Sequence, residues 1–298
     1  MTENKVYPVA TLEEYGYKDY SKFQKPIKVL KTILFGLVFL MLYLSIFVIA
    51  IQSLNSSVRT SEFLSVTFEW YPNIFQEEDL MTAIRNTFIV SFIATTIATI
   101  AGTFFAVGLY SLEKKKRQSV MLLNNVPMLN ADIVTGFSLM LMFRLLMPIF
   151  PDIFGLFTLV MAHLFFTFPY VVLSVMPKLK ETDPNLMDAA LDLGVRPYKA
   201  LIKVVIPAIK AGIFSGMLLA LTMSIDDFVI SYFNTGAGFD NLSIWIYGVV
   251  GRRNLTPSVY AFSTLLTLFT LAGLMVYTFI QHSNKKGKRE IKWKKYLF

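Results

Sequence analysis

The chain alternates between long apolar stretches and shorter polar segments. A membrane-spanning helix needs about 20 mostly apolar residues, and six stretches reach that length. They are residues 29–51, 86–112, 120–146, 153–176, 213–233 and 259–280. The pattern predicts an all-α membrane protein with six transmembrane helices. It also predicts three regions: an N-terminal segment over 1–28, a transmembrane domain over 29–280 and a basic tail over 281–298.

The composition supports a membrane protein and argues against other classes. The 298 residues are 55% hydrophobic and 16% charged, with a mean hydropathy of +0.55. The net charge of +8 does not indicate a nucleic-acid-binding protein, because the basic residues lie between apolar blocks rather than over a polar domain. Without cysteine the chain has no disulfide and no thiolate metal site. We therefore expect no bound metal and no nucleic-acid partner.

The distribution of basic residues predicts how the chain is oriented. Six Lys and Arg lie in residues 1–31, four in 113–118, six in 177–210 and seven after residue 281. The other side of the membrane would hold only Arg59, Arg85, Arg252 and Arg253. By the positive-inside rule both termini are cytoplasmic. The basic tail is then placed to bind anionic membrane lipids.

Two of the predicted external segments are large enough to receive a partner. Residues 52–85 carry five acidic residues together with Trp70 and Tyr71, and residues 236–257 carry Trp245 and Tyr247. Aromatic side chains at this depth are also typical of the belt at a membrane interface. Both interpretations stay open on the sequence alone.

The segment over 178–210, between the fourth and fifth predicted helices, contains strong helix signals. Asp183 followed by Pro184 predicts an N-cap and a first helical turn. Gly194 predicts a left-handed C-terminal stop. Pro197 opens a second short helix, and Pro207 is predicted to break it before the fifth span. Two short helices joined at a glycine would form a cytoplasmic elbow.

One face of this elbow is small and apolar. Leu186, Ala189, Ala190 and Leu193 recur at helical spacing, with Asp188 beside them. An amphipathic hairpin lying on the membrane would have such a face. The small alanines equally suit close approach by another protein.

The same residues carry a family resemblance. Asp188-Ala189-Ala190, three residues, Gly194, nine residues and Val204-Val205-Ile206-Pro207 resemble the "EAA" loop of ABC-importer permeases of the MetI-like group. That loop reads Glu-Ala-Ala-x3-Gly-x9-Ile-x-Leu-Pro, so the spacing is intact and three positions differ conservatively. The stretches "KVVIPAIKAGIFSGMLLALTMSIDDFVISYF" and "GAGFDNLSIWIYG" are similar to the second permease subunit of spermidine/putrescine importers.

The resemblance implies an assembly in a bacterial cell membrane. It implies a second permease of related fold, two copies of an ATPase and an external polyamine-binding protein. The ATPase would dock on Leu186, Asp188, Ala189, Ala190, Leu193, Gly194 and Pro207. The chain has no G-x-x-x-x-G-K-[ST] phosphate loop. We therefore expect no enzymatic activity and no cofactor on this chain, with ATP and Mg bound by the partner ATPase.

Two adjacent carboxylates, Asp226 and Asp227, lie within the fifth apolar stretch. A charge at the centre of a spanning helix costs about 2.5–3.5 kcal/mol, so it normally faces protein or water and marks a path for ions or substrate. In a continuous helix the two side chains would point about 100° apart. We expect Asp227 to line a cation path and Asp226 to make a structural contact, unless the helix unwinds there.

Other polar and aromatic side chains complete the predicted pathway. The small, polar stripe that would contain Asp227 consists of Gly216, Ala220, Ser224, Ser231 and Asn234. Asp132 lies at similar depth in the third helix, where it would either line the path or cap a helix broken near Pro127. Tyr232 would offer an aromatic ring to an ammonium group. His163 is expected to be a satisfied helix contact rather than a proton carrier.

These patterns favour a polyamine permease of an ABC importer. A permease for another cation, such as iron(III), would keep the same architecture. A stand-alone secondary transporter is the alternative from another class, and in that case the elbow would only bind lipid.

Overall fold

The computed structural model describes residues 21–57, 62–251, 257–273 and 275. Within these residues the chain is almost entirely helical, and its only β-pairing is a single antiparallel bridge between Asn55 and Val66. The helices are α1 Ser21–Gln52, α2 Trp70–Asn73, α3 Glu78–Tyr110, α4 Lys114–Leu129, α5 Asp132–Arg144, α6 Leu156–Glu181, α7 Leu186–Asp192, α8 Pro197–Ala200, α9 Ile206–Asp226, α10 Val229–Asn234, α11 Leu242–Gly251 and α12 Pro257–Gly273. A 3-10 turn, Ile74–Gln76, precedes α3, and a π-helical turn, Leu201–Val205, joins α8 to α9.

Four helical segments are long and apolar enough to cross a membrane. They are Ile27–Gln52, Glu78–Tyr110, Leu156–Glu181 and Pro197–Asp226. The pair α4 and α5 passes the same test together but is bent by 99°. The described part of the chain thus supports a membrane protein with four or five apolar spans. The predicted sixth span is described only as the 17-residue helix α12, and its end lies outside the described residues.

The chain divides into two compact units. The first unit joins residues 1–71 to residues 257–298. In its described part, α1 presents an apolar stretch with no buried side chain. Beyond α1, Trp70 Nε1 donates a hydrogen bond of 2.7 Å to Asn55 O. The predicted N-terminal segment up to residue 20 and the basic tail lie outside the described residues.

The second unit, Pro72–Thr256, is built on three packed helices, α3, α6 and α9. Small residues let their backbones approach closely, as is common in membrane helix packing. A Cβ added to Gly102 would lie 2.9 Å from Val171 Cγ1, and one added to Gly216 would lie 3.1 Å from Val171 Cα. The two glycines therefore bring α3 and α9 against the same residue of α6.

The predicted break at Pro207 is wrong, because Pro197–Asp226 runs on as one apolar helix. Proline lacks the N–H of a normal helical turn and clashes with the preceding one. The wide π-helical turn Leu201–Val205 lies just before Pro207, and the Ile206 N–H donates a hydrogen bond to Leu201 O. This wider turn accommodates the proline without ending the helix.

Candidate substrate pathway and coupling surface

The fifth predicted span is interrupted at the two aspartates. Helix α9 ends at Asp226, Asp227 has an extended backbone (φ −70°, ψ 128°), and α10 begins at Val229. The expectation of one continuous helix over 213–233 is therefore wrong. The Asp227 carboxylate accepts hydrogen bonds from the backbone N–H groups of Ile230 (3.3 Å) and Ser231 (2.7 Å). It thus caps the first turn of α10, which stabilises the break.

His163 of α6 bridges this break from the side. Its Nδ1 lies 2.7 Å from Ser224 Oγ on α9, and its Nε2 lies 2.9 Å from Ser231 Oγ on α10. The Ser231 hydroxyl donates its hydrogen to Asp227 Oδ2 at 2.7 Å, so His163 Nε2 is the donor in its bond to Ser231. His163 is only 1% exposed. One imidazole thereby ties the two helix segments together.

The expectation that His163 is a satisfied helix contact agrees with these bonds. Sequence reasoning missed its connection to Asp227, whose Oδ2 lies 3.7 Å from His163 Nε2. The available signal was a histidine inside an apolar helix, which points to a specific partner. Sequence reasoning also missed Asn241 as a member of this cluster, in which its Nδ2 donates a hydrogen bond to Ser231 Oγ at 2.8 Å.

A second break lies in the third predicted span. Asn130 and Ala131 both have extended backbone angles, so the helical hydrogen bonds stop at α4 and restart in α5. The span expected over 120–146 is therefore broken, which is one of the two alternatives left open for Asp132, while Pro127 itself lies inside α4. Asp132 is the first residue of α5, and its carboxylate is exposed.

The two broken spans pack against each other through α5 and α10. Asn234 Nδ2 donates to Gly136 O at 3.1 Å and to Ile230 O at 2.8 Å. A Cβ added to Gly136 would lie 3.2 Å from Ile230 Cα. Each of the two packed segments follows a helix break that carries an aspartate.

The remaining predicted pathway residues divide into two groups. Ser224, Ser231 and Asn234 are buried in contacts within this chain, whereas Asp226 and Tyr232 are exposed. The buried group follows the predicted small, polar stripe, together with Gly216 and Ala220. A substrate-facing role for any of these residues stays a prediction.

The elbow residues lie on and around the short helix α7 and the start of the long helical segment Pro197–Asp226, so the prediction of a second short helix is wrong. The Asp183 carboxylate accepts from the Asn185 N–H at 2.9 Å, so it forms a turn before α7 rather than capping the helix at its start. Gly194 has the left-handed φ of +76° that its position after the helix requires. Pro197 is at the start of α8.

The predicted apolar face of the elbow is only partly buried. Ala190 is buried, Leu186 is half-buried, and Asp188 and Ala189 are exposed. Leu193 is 84% exposed. Such a leucine beside an exposed carboxylate is available for contact with another surface.

The described residues include no group of three or more His, Cys, Asp or Glu side chains placed to hold a metal ion. The Asp227 carboxylate is instead arranged with the Ser231 hydroxyl and backbone N–H groups, and the adjacent Phe228 packs against the rings of Tyr232 and Tyr247. That environment can hold an organic cation through carboxylates and ring faces.

Comparison with known proteins identifies the class. The family model for the binding-protein-dependent transport system inner membrane component matches residues 98–288. The chain belongs to this family and is therefore a multi-pass membrane component of a transport system, a translocation subunit and not an enzyme.

Individual relatives cover most of the chain. The spermidine/putrescine transport system permease protein PotC of Escherichia coli (strain K12) is 30% identical over 246 residues, covering 83% of this chain and 91% of the relative. The putrescine transport system permease protein PotI of the same strain is 30% identical over 257 residues, with coverage of 85% and 91%.

A solved structure shares the fold. It is a bacterial ABC transporter involved in the import of the acidic polysaccharide alginate, whose matching chain has a TM-score of 0.64 and 16% identity. The match covers 89% of this chain and 99% of that chain.

Proposed function

We propose that this chain is a permease subunit of an ABC importer that forms, with a second permease, the membrane path for polyamines such as spermidine and putrescine. The observation that carries the proposal is the placement of Asp132 and Asp227 at two helix breaks, whose following helices α5 and α10 pack against each other. The names of the relatives with about 30% identity agree with this cargo.

The chemistry of the breaks suits a polyammonium ion. Interrupted helices are a recurrent way to build ion and substrate sites at the middle of a membrane. The breaks lie at the C-terminal ends of α4 and α9, and such helix ends carry partial negative charge. Phe228 and Tyr232, whose ring centroids are 5.5 Å apart, add ring faces for an ammonium group.

The proposal includes a specific assembly and orientation. The chain would cross a bacterial inner or cytoplasmic membrane six times with both termini in the cytoplasm. Two copies of an ATPase, carrying ATP and Mg, would dock on the two permeases, and an external polyamine-binding protein would deliver the substrate. On this chain the ATPase would contact the elbow, where exposed Leu193 supports the proposal.

Purification of the chain from its native membrane tests the proposal. The expected result is a stable complex with a second permease and an ATPase, which accumulates labelled spermidine or putrescine in vesicles when ATP and the binding protein are supplied. Uptake of iron(III) without polyamine uptake would show that the cargo is iron(III) and that only the proposed substrate is wrong. Substrate movement by this chain alone would instead identify a secondary transporter and contradict the proposal.

A further inference from the structure

A cavity of about 470 Å³ lies between the start of α3 and helix α11. Its polar lining includes two carboxylates, Asp79 and Asp240, and the amide of Asn86. Its aromatic lining consists of Tyr232, Trp245 and Tyr247. This cavity is separate from the hydrogen-bonded cluster around His163, none of whose members line it.

The walls of the cavity are fixed by side-chain to backbone hydrogen bonds. Asn86 Nδ2 on α3 donates to Asp240 O at 3.0 Å, and the Leu242 N–H donates to Thr87 Oγ1 at 2.8 Å. Asn241 Oδ1 accepts from the Ile244 N–H at 2.9 Å, which holds the start of α11. The segment that carries Asp240 is thus attached to two successive residues of α3, Asn86 and Thr87. These bonds hold the cavity open without a ligand, so the cavity is preformed.

The charges in the cavity favour a cation. Asp79 and Asp240 are both exposed, and within the described residues neither is part of an ion pair. Two such carboxylates attract positive charge and leave hydrogen-bond acceptors available for ammonium groups. An anion would meet only repulsion from them.

The aromatic rings add a second form of cation recognition. The ring centroids of Tyr232 and Tyr247 are 5.8 Å apart, with the ring planes at 75°. Inclined rings of this kind present faces and edges on adjoining walls, and an ammonium group gains from lying over such a face. The same rings can cover the methylene segments between the ammonium groups.

From this arrangement we infer that the cavity is an outer holding site for an aliphatic polyamine, adjoining the site at the helix breaks, with which it shares the ring of Tyr232. The inference rests on the proposed function and specifies where the cargo is first held by this chain. The ammonium groups bind Asp79 and Asp240, and Tyr232, Trp245 and Tyr247 enclose the carbon chain.

An aromatic track connects the cavity to the broken helix. The ring centroid of Tyr247 lies 4.9 Å from that of Phe228, and Phe228 directly follows Asp227. The aromatic lining of the cavity therefore continues, through the ring of Phe228, to the residue next to the carboxylate at the break.

Photoaffinity labelling of the assembled complex tests this site. The complete permease–ATPase complex is placed in lipid nanodiscs without the binding protein and irradiated with a spermidine derivative that carries a diazirine. The expected result is labelling of the peptide that contains Trp245 and Tyr247, suppressed by excess unmodified spermidine and by high salt.

The double substitution Asp79→Asn/Asp240→Asn should lower this labelling about tenfold, because both charge-assisted contacts are lost. Glu78→Gln is the matched control, since Glu78 is exposed beside Asp79 but does not line the cavity. Its labelling should equal that of the unsubstituted complex. Co-purification of the ATPase with each variant shows that assembly is intact.

Equal labelling in the double variant and the control would overturn the inference. Labelling that spermidine does not suppress would also overturn it, and would identify the aromatic residues as an interfacial belt. Spermidine uptake by the complete transporter distinguishes an error in the holding site from an error in the proposed function. If uptake occurs without specific labelling, only the inference of a holding site is wrong. If the transporter takes up a different solute and no polyamine, the proposed function fails.

Discussion

The imidazole of His163 and the carboxylate of Asp227 meet at a break in a membrane helix, with Nε2 3.7 Å from Oδ2. Both groups also bond to the Ser231 hydroxyl, which donates to Asp227 and accepts from His163. The break is therefore held from one side by α6 and capped by its own aspartate. This arrangement makes the geometry of the carboxylate depend on a helix more than sixty residues away in sequence.

Replacing His163 by alanine should destabilise the subunit. The substitution leaves the buried Ser224 hydroxyl without its imidazole partner and opens a cavity at a site that is 1% exposed. We expect a loss of about 2–4 kcal/mol, measured as a lower midpoint of thermal unfolding of the complex in nanodiscs. His163→Gln is the control, because its amide can reach Ser231 and should recover part of the loss. Equal midpoints for His163→Ala and the unsubstituted complex would contradict the bridging role.

Gly236 should not tolerate a side chain. A Cβ at this position would clash with the backbone oxygen of Phe154, so the loop after α10 and the segment just before α6 would have to separate. Gly236→Ala is expected to cost about 1–3 kcal/mol and to lower the yield of folded complex in size-exclusion chromatography. Gly108→Ala, where no atom lies within 4 Å of the added Cβ, should leave the yield unchanged. A similar yield for the two variants would show that the contact at Phe154 is not tight.

Gly194 offers a test of the elbow as the point of coupling to the ATPase. Its φ of +76° excludes most side chains on backbone grounds, while no atom within 4 Å would obstruct a Cβ. Gly194→Val should therefore distort the turn after α7, whereas Gly194→Asn should preserve it, because asparagine accepts the left-handed conformation. We expect the valine variant to assemble but to lose the stimulation of ATP hydrolysis by the substrate-loaded binding protein. Full stimulation in the valine variant would exclude this turn as the coupling element.

Leu193 tests the docking surface itself. The side chain is 84% exposed on the elbow, so Leu193→Asp removes an apolar contact without disturbing a buried core. We expect several-fold less ATPase to co-purify with the permease pair. The control is Tyr198→Asp, a substitution at another exposed position of the elbow outside the predicted contact set. Unchanged co-purification with Leu193→Asp would place the ATPase contact elsewhere.

Local sequence signals predicted the elbow better than the broken spans. Gly194 and Pro197 act within a few residues of their own positions, so the end of α7 and the start of α8 follow from sequence. The helix continues through Pro207 because of the π-helical turn Leu201–Val205, which no local sequence signal predicted.

The break at Asp227 could not be derived from periodicity. The positions of Ser224, Ser231 and Asn234 fit the 3- and 4-residue steps of one continuous helix, and their burial agrees with that stripe. The interruption depends on the capping bonds of Asp227 and on His163 from another helix. The cavity near Asp79 and Asp240 likewise requires tertiary contacts between α3 and α11.

Spermidine uptake by vesicles that contain the Asp227→Asn complex tests the central claim most directly. Asparagine keeps one side-chain oxygen, which can still accept from the Ser231 N–H and cap α10, so the substitution removes the charge and is expected to retain the break. The account predicts normal assembly and ATP hydrolysis with at least severalfold slower ATP-dependent accumulation of labelled spermidine. Asp132→Asn should slow accumulation in the same direction. Accumulation at the unsubstituted rate in the Asp227→Asn complex would contradict a cation path through this carboxylate.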